Sequence, residues 1–486
     1  MYDDYWGPSE LIKRAGSNPL DLFFFFLPKS FWRHVAQQSN LYWRQTLDAK
    51  VEKAYLSQSV DESGRRPQSK ERIRFKLEKF KKVLPHELLQ WVGLLVARVL
   101  SPKKHIADHW SKAERGVFPS GTFGSVIPRD RFKEISRFLH FADNSSSQAA
   151  HDRAWKIRPV LSTMEQTFMA GYFFGRHIAI DEGMLPSRNR HNPTRTYLKD
   201  KPHEWGSRCV MTCCASTGYC KRLELDVCKK NHFASFTSVD TKSGPAAVIR
   251  NLSIIFDGET YRGRRLVVSD RFYTSIPLAQ QLRTLGFHFC GTIQKNRLGW
   301  CKNVEFSFKK RPQRVPRGTF KMAPSKKDPG LVALGWVDNK PVYFLASHVS
   351  TDTHIGGVDK HNQLRLQSYS LQLTTRFQKY YHSLFLGLLD VVIVNAYISQ
   401  CWVLKGKRRK KNSHYDFLSK LHAALIALTE DVFTNTRQLP RAAEQAHAAV
   451  SVSEEHELVQ VTDKRQNNGM WRLRSHNCRV CTIMAK

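Results

Sequence analysis

Between residues 176 and 295 the hydrophobic pattern leaves helical spacing and breaks into short, strand-length runs. Ile178-Ala179-Ile180, with Met184 and Leu185 beyond it, predicts a first strand. Cys209 to Ala215 predicts a second, and Tyr219 to Cys228, where Leu223, Leu225 and Val227 alternate, a third. Ser216-Thr217-Gly218 between the last two is a tight-turn signal, so antiparallel pairing is expected. Ala246 to Ile255 has helical spacing, and Leu266 to Val268 is a buried-strand run ending at Ser269 and Asp270. Ser275 to Leu285 reads as a helix stopped by Gly286, and Phe287 to Ile293 as a strand. The order β-β-β-α-β-α-β predicts an α+β core.

Helical patterns flank that core. Phe75, Leu77, Phe80 and Val83 precede a second stripe from Leu88 to Val99, with Pro85 near its start, where a missing N–H costs little. Phe132 to Leu139 and Val160 to Phe174 predict two more helices, whereas residues 1 to about 60 show no clean period. Ser57 to Lys70 reads as a polar linker. Residues 295 to 330 are basic and irregular, and Leu331 to His348 predicts two strands around Asp338-Asn339-Lys340. From Gly357 through Gln400 the pattern is helical again, and the tail after about residue 435 is polar.

No segment is expected to cross a membrane. Leu22 to Leu27 is too short, and Leu384 to Ile398 is interrupted by Asp390 and Asn395, so it reads as a buried core helix. Asp3, Asp4 and Glu10 stand where a signal peptide would be basic, which predicts a soluble intracellular chain. Cys209, Cys213, Cys214, Cys220 and Cys228 then read as buried free thiols. Composition adds one constraint. The 77 Lys and Arg exceed the 42 Asp and Glu by 35 charges, a self-repulsion best explained by a polyanionic partner.

Three aspartates stand in three settings. Asp181 follows an apolar strand segment, Asp270 ends another, and Asp359 begins a helix after Gly356-Gly357-Val358, each 89 residues from the next. Only a fold can bring them together. Carboxylates so placed can converge on two hard divalent cations about 3.5–4 Å apart, the arrangement that drives phosphodiester cleavage. Mg²⁺, with Mn²⁺ as substitute, suits a site of few carboxylates because it keeps several waters.

The residues around these aspartates resemble a family. Asp181-Glu182-Gly183-Met184, followed by Lys201-Pro202-His203-Glu204-Trp205-Gly206, looks like the first catalytic block of piggyBac-type transposases. Ser269-Asp270-Arg271-Phe272-Tyr273-Thr274-Ser275 resembles the second block, and Gly356-Gly357-Val358-Asp359-Lys360-His361-Asn362-Gln363 the third. The resemblance spans about residues 20 to 400. It implies a ribonuclease H-like catalytic core with an inserted subdomain, flanked by a helical DNA-binding and dimerisation domain. The implied divisions are helices over 1–175, core over 176–295, inserted subdomain over 296–345, core with the third aspartate over 346–370, helices over 371–435, and a tail over 436–486. It also implies metal-dependent cleavage of double-stranded DNA and strand transfer, by a homodimer in the nucleus, with Asp181, Asp270 and Asp359 as the metal-binding triad.

Arg188, Arg190, Arg195 and Lys199 are candidates for holding DNA phosphates beside the site, as are Arg376 and Lys379, expected on the helix after the third motif. Lys405, Lys407, Arg408, Arg409, Lys410 and Lys411 form a candidate nuclear localisation signal. Trp205 offers a face for base stacking, or for core packing beside Gly206.

Three departures from the family pattern oppose these expectations. Asn362 stands where members often carry a fourth aspartate, the link from Ser347 to Ile355 is short, and His476, Cys478 and Cys481 leave a zinc module one ligand short. Zinc is therefore not expected. The alternative function is a DNA-binding protein of the same fold that has lost catalysis. A basic RNA-associated protein of another fold would explain the charge but not three ordered motifs.

Overall fold

The computed structural model describes residues 2–58, 68–114, 116–117, 119–199, 201–227, 244–257, 264–347 and 356–434, and the backbone of 464–467 and 470–473. Residues 2–433 belong to one compact unit and the described residues from 434 onward to a second. The short link at 348–355, Cys228, His476, Cys478 and Cys481 lie outside the described residues.

The chain begins with α1 (Glu10–Ala15), α2 (Pro19–Phe26), α3 (Lys29–Gln45) and α4 (Leu47–Gln58). These four helices occupy the stretch without a clean hydrophobic period. Their start signals are local. Ser9 Oγ accepts the Ile12 N–H, and Asn18 caps α2 with Pro19 at its first position. Periodicity fails in α2 because Leu22, Phe23, Phe24 and Phe26 are all buried, leaving no polar face to read.

Next come α5 (Lys70–Glu78), α6 (Pro85–Leu100), α7 (Arg129–Phe138), α8 (Gln148–His151) and α9 (Arg158–Gly171). The two-residue strands β1 (Gly7–Pro8) and β2 (Tyr172–Phe173) pair and tie the N-terminus to the end of α9.

The core holds β3 (His177–Pro186), β4 (Arg195–Tyr197), β5 (Trp205–Cys214), β6 (Cys220–Leu225), α10 (Gly244–Ile255), β7 (Leu266–Ser269), α11 (Ile276–Thr284) and β8 (His288–Thr292). One nine-stranded sheet runs β4-β5-β3-β7-β8-β11-β10-β9, where β9 is Phe320–Pro324, β10 Val332–Val337 and β11 Pro341–Ala346; β6 shares the outer edge of β5 with β4. Strands β3, β7 and β8 are parallel, and the remaining pairs antiparallel. In the span 296–345, expected as an inserted subdomain, the strands hydrogen-bond onto β8 through β11 and lengthen the core sheet. Pairing exposed strand edges satisfies backbone groups that a detached module would leave open.

The chain closes with α12 (Gly357–Asn362), a π-helical turn over Gln363–Ser368, α13 (Leu371–Thr374), α14 (Tyr380–Gly406), α15 (His414–Ile426) and α16 (Asp431–Thr434); in the second unit β12 (Lys464–Asn467) pairs with β13 (Met470–Leu473). At 27 residues α14 is long and apolar enough to cross a membrane by length and composition, so the expectation that no segment qualifies is corrected. Its most apolar window is 89% buried inside the fold. Asp390 and Asn395 do not interrupt it, because their polar atoms are satisfied internally. Asp390 accepts from Ser370 Oγ (2.8 Å) and Leu371 N (2.9 Å), and Asn395 bonds both the N–H and the carbonyl of Cys220 (2.9 and 2.8 Å).

Helices from both ends of the chain interleave. Gln90 Nε2 of α6 donates to Leu428 O at 2.8 Å, and the His422 ring of α15 lies 2.8 Å from Gly93 O. A Cβ at Gly93 would stand 2.8 Å from Ile426 Cγ2, so glycine is what lets α6 and α15 approach.

Candidate functional site

Strand register builds the centre of the site. The parallel pairing of β3 with β7 runs from His177↔Leu266 to Ile180↔Ser269; Asp181 is the next residue of β3, and Asp270 directly follows the end of β7. Asp181 therefore lies within β3, where the ladder to β7 ends, rather than at the end of its strand. Neighbouring strands lie about 4.8 Å apart, so the two carboxylates leave the same level of the sheet. The position also suits a ligand, since crevices open at the carboxyl ends of parallel strands where connections diverge to either side.

Both side chains are oriented in one manner. Asp181 Oδ1 accepts the N–H of Glu182 at 2.7 Å, and Asp270 Oδ1 accepts the N–H of Arg271 at 2.6 Å. Thr292 Oγ1 of β8 donates to Asp270 Oδ1 at 2.9 Å. The loop beyond is braced as well: Tyr273 N and Thr274 N donate to Asp270 O at 3.0 and 3.1 Å, and Arg297 Nη2 to Phe272 O at 2.8 Å.

Burial pushes the Asp181 carboxyl up to about 6, and the negative charges of Asp270 and Glu182 add to this against the pull of Lys201. Lys201 Nζ lies 3.3 Å from Glu182 Oε1. The Tyr273 phenol is raised by burial and then by the charges of Asp181 and Glu182. A pair of neighbouring carboxylates, one of them desolvated, fits a cation that would neutralise both. Among the described residues no group of three His, Cys, Asp or Glu side chains stands close enough to hold a metal ion.

Asp359 lies in the first turn of α12 and is exposed. The helix covers the face of β3 that carries Asp181: a Cβ on Gly357 would stand 2.7 Å from Ala215 Cα and 3.0 Å from Ala179 Cβ, and Ala179 shares the face of Asp181 by alternation. Asn362 has a structural partner. Its Oδ1 accepts from Arg365 Nη2 at 3.0 Å, and the same nitrogen donates to Met184 O at 2.8 Å. Arg365 is fully buried. The structure thus brings two aspartates together and sets the third on the helix above them.

The basic candidates separate into two groups. Arg188, Arg190 and Lys199 are exposed, while Arg195 places its guanidinium 4.3 Å from the ring centroid of Trp205, whose other ring neighbour is Tyr197. Asn189 Nδ2 donates to Gln378 O at 2.6 Å, which docks the Arg188–Arg190 loop beside Arg376 and Lys379. Those two are not on a helix. Helix α13 stops at Thr374, ahead of an extended, β-branched Thr375; Arg376 follows in the loop and Lys379 caps α14.

Arg376 and Lys379 line a groove of about 800 Å³ that sequence reasoning missed. Arg129, Lys133 and Arg137 of α7 line it too, along with Lys104, and no Asp or Glu is among the described residues lining it. The signal was available: the three α7 cations recur every four residues, on one helix face. Burial and the charges of Lys50, Lys156 and Arg137 push the Lys379 ammonium down to about 8, and burial with Arg137 does the same to Lys50. Cations so crowded match a polyanion.

Lys405, Lys407, Arg408, Arg409, Lys410 and Lys411 are exposed at the end of α14, with Arg408 at φ 55°. Cys209, Cys213, Cys214 and Cys220 are buried free thiols, and burial raises Cys209 to about 12.

A family model described as Transposase IS4 matches residues 18–355. The chain is 26% identical over 259 residues to the human piggyBac transposable element-derived protein 3, covering 52% of this chain and 39% of that protein. It is 25% identical over 304 residues to the human piggyBac transposable element-derived protein 2, covering 56% and 48%. The matched part thus spans less than half the length of these curated relatives. A cryo-EM structure of a piggyBac transposase synaptic complex with hairpin DNA superposes with a TM-score of 0.67 at 19% identity, covering 94% of this chain and 90% of that one.

Proposed function

For a chain that belongs to the Transposase IS4 family and is of the piggyBac type, we propose metal-dependent DNA cleavage and strand transfer centred on Asp181 and Asp270. The observation that carries this reading is the register that delivers both carboxylates to one level of the sheet. A bound Mg²⁺, or Mn²⁺ in its place, supplies polarisation of a phosphate oxygen and activation of the attacking oxygen. The protein's own part is orientation. The Glu182 and Arg271 N–H groups and the Thr292 hydroxyl fix both carboxylates, and Glu182 holds Lys201 where its ammonium can meet a phosphate. Asp359 is the third ligand of this reading.

The strand order β6-β5-β3-β7-β8, three antiparallel strands and two parallel to the first, supports a ribonuclease H-like core, with β9 to β11 as its insertion. The helices of both chain ends form the DNA-binding and dimerisation region, and the groove cations bind duplex phosphates. The exposed run Lys405–Lys411 directs the protein to the nucleus.

A second reading is favoured by Asp359's exposure and by Asn362's bond to Arg365: the protein binds DNA without cutting it. Purified protein incubated with supercoiled plasmid and Mg²⁺ or Mn²⁺ separates the two. The first reading expects nicking that falls at least about a hundredfold in Asp181→Asn, as displaced catalytic groups typically cost. Equal nicking by the variant removes Asp181 from the site. Salt-dependent binding without nicking selects the second reading, and Arg129→Ala with Arg137→Ala should then lower the salt slope by about two.

A further inference from the structure

A second cavity, of about 680 Å³, lies at the start of β3, where the Ser216–Thr217 turn packs against α12 and α14. Neither Asp181 nor Asp270 lines it. Its volume falls in the range of small-molecule sites, roughly 300–1,000 Å³. Three kinds of side chain converge there.

The first kind is cationic. Lys360, Lys405 and Lys411 line the cavity, and no Asp or Glu is among its described lining residues, so it selects anions. Lys360 Nζ is held by Ser216 O at 2.9 Å. The second kind is aromatic. Trp6 and Trp402 meet edge to face with centroids 5.2 Å apart, and Tyr397 is stacked on His414 at 4.7 Å. The two indoles are held in place by close backbone packing: a Cβ on Gly7 would stand 3.2 Å from Trp402, and one on Gly175 2.9 Å from Trp6. The third kind is the amide pair Gln363 and Gln367, both exposed and both lining the cavity from the π-helical turn. Such turns are rare and concentrate at functional sites.

Ring faces, a cationic rim and a pair of amides answer to the three parts of one ligand. We infer that this cavity binds a single nucleoside monophosphate unit, either one unpaired nucleotide of a DNA strand or the free nucleotide. The base stacks on the fixed aromatic wall, the glutamine amides meet its edge, and the lysines take the phosphate. The strand source rests on the DNA-binding reading above; the cavity chemistry does not. Lys360 directly follows Asp359 on α12, so an occupant would also bear on the helix that carries the third aspartate.

The test uses the full chain with a short fluorescein-labelled oligothymidylate, adenosine monophosphate, inorganic phosphate and a random-sequence duplex. Trp402→Leu and the double variant Gln363→Leu/Gln367→Leu are expected to weaken oligothymidylate binding about tenfold, in line with the loss of one stacked base, with duplex binding unchanged. Adenosine monophosphate should compete where inorganic phosphate at equal concentration does not. Competition by the mononucleotide identifies free nucleotide as an occupant, and variant-sensitive oligonucleotide binding without it identifies the strand. Unchanged single-strand binding in the exposed glutamine variant, or phosphate competing as well as the mononucleotide, overturns the inference. Mononucleotide binding in a protein that binds no duplex would sink the DNA reading and leave the cavity assignment standing.

Discussion

Asp181 carries two burdens at once, desolvation in the sheet and the charge of Asp270 beside it, and together they raise its carboxyl to about 6. A metal ion needs the carboxylate, so protons compete with it as pH falls through that value. Mn²⁺ affinity, measured by titration of the intact protein, is expected to weaken up to about tenfold per pH unit below 6. Asp181→Asn should bind weakly at every pH and lose that slope. A flat profile in the parent would exclude Asp181 as a ligand. Part of this residue-level picture was legible: the apolar run Leu266 to Val268 does close a strand just before Asp270, whereas Asp181 sits inside β3, which its run of Ile178 to Ile180 did not reveal. What could not be read was the relation between the aspartates. Pairing at Ile180↔Ser269 joins segments 89 residues apart, and the seat of Asp359 depends on how closely Gly357 approaches Ala215. Arg376 and Lys379 were legible as cations, but their loop was not, since a helix end within an apolar pattern is set by the cap at Ser370 and the Thr375 backbone.

Among the elements, α14 concentrates the most burial, and its Asp390 holds the start of α13 in place. Burial raises this carboxyl to about 7 from an ordinary value of 3.8, against the pull of the Leu371 N–H, the Ser370 hydroxyl and the Gln372 N–H. The folded protein therefore binds a proton here that the unfolded chain has already released. Stability contributed at this position is present at low pH and declines as pH rises from about 4 through 7. Asp390→Asn should flatten that window in denaturant titrations while lowering stability near pH 5 by about 1–3 kcal/mol, because an amide turns donors toward donors. An unchanged pH dependence would show that Asp390 is ionised throughout. The helical type of α14 was legible from its length of apolar sequence. Its satisfied polar residues were not, because their partners Ser370 and Cys220 are brought to them only by the fold.

Across the whole molecule, the excess of 35 positive charges predicts a polyanionic partner, but the basic groove draws on α7, the loop after α6 and the segment before α14, which only packing assembles. The same packing explains why the helical region reads as two halves. Helices α2, α3 and α6 come from the first hundred residues, yet Gln90 bonds Leu428, Lys29 Nζ reaches Val432 O at 3.2 Å, and Gln400 bonds Ser17. Those contacts set a clock on biogenesis. At roughly 5–20 residues per second, the ribosome delivers α14 and α15 on the order of tens of seconds after α6 has emerged. For that interval Gln90 and Gly93 lack their neighbours Leu428 and Ile426, and the nascent chain is expected to need chaperones. A chain released after residue 375 should accordingly collect in the insoluble fraction, and recovery of a soluble, protease-resistant N-terminal fragment would refute this account. Any change that slows elongation across the sheet lengthens the exposure without altering a single contact of the finished protein.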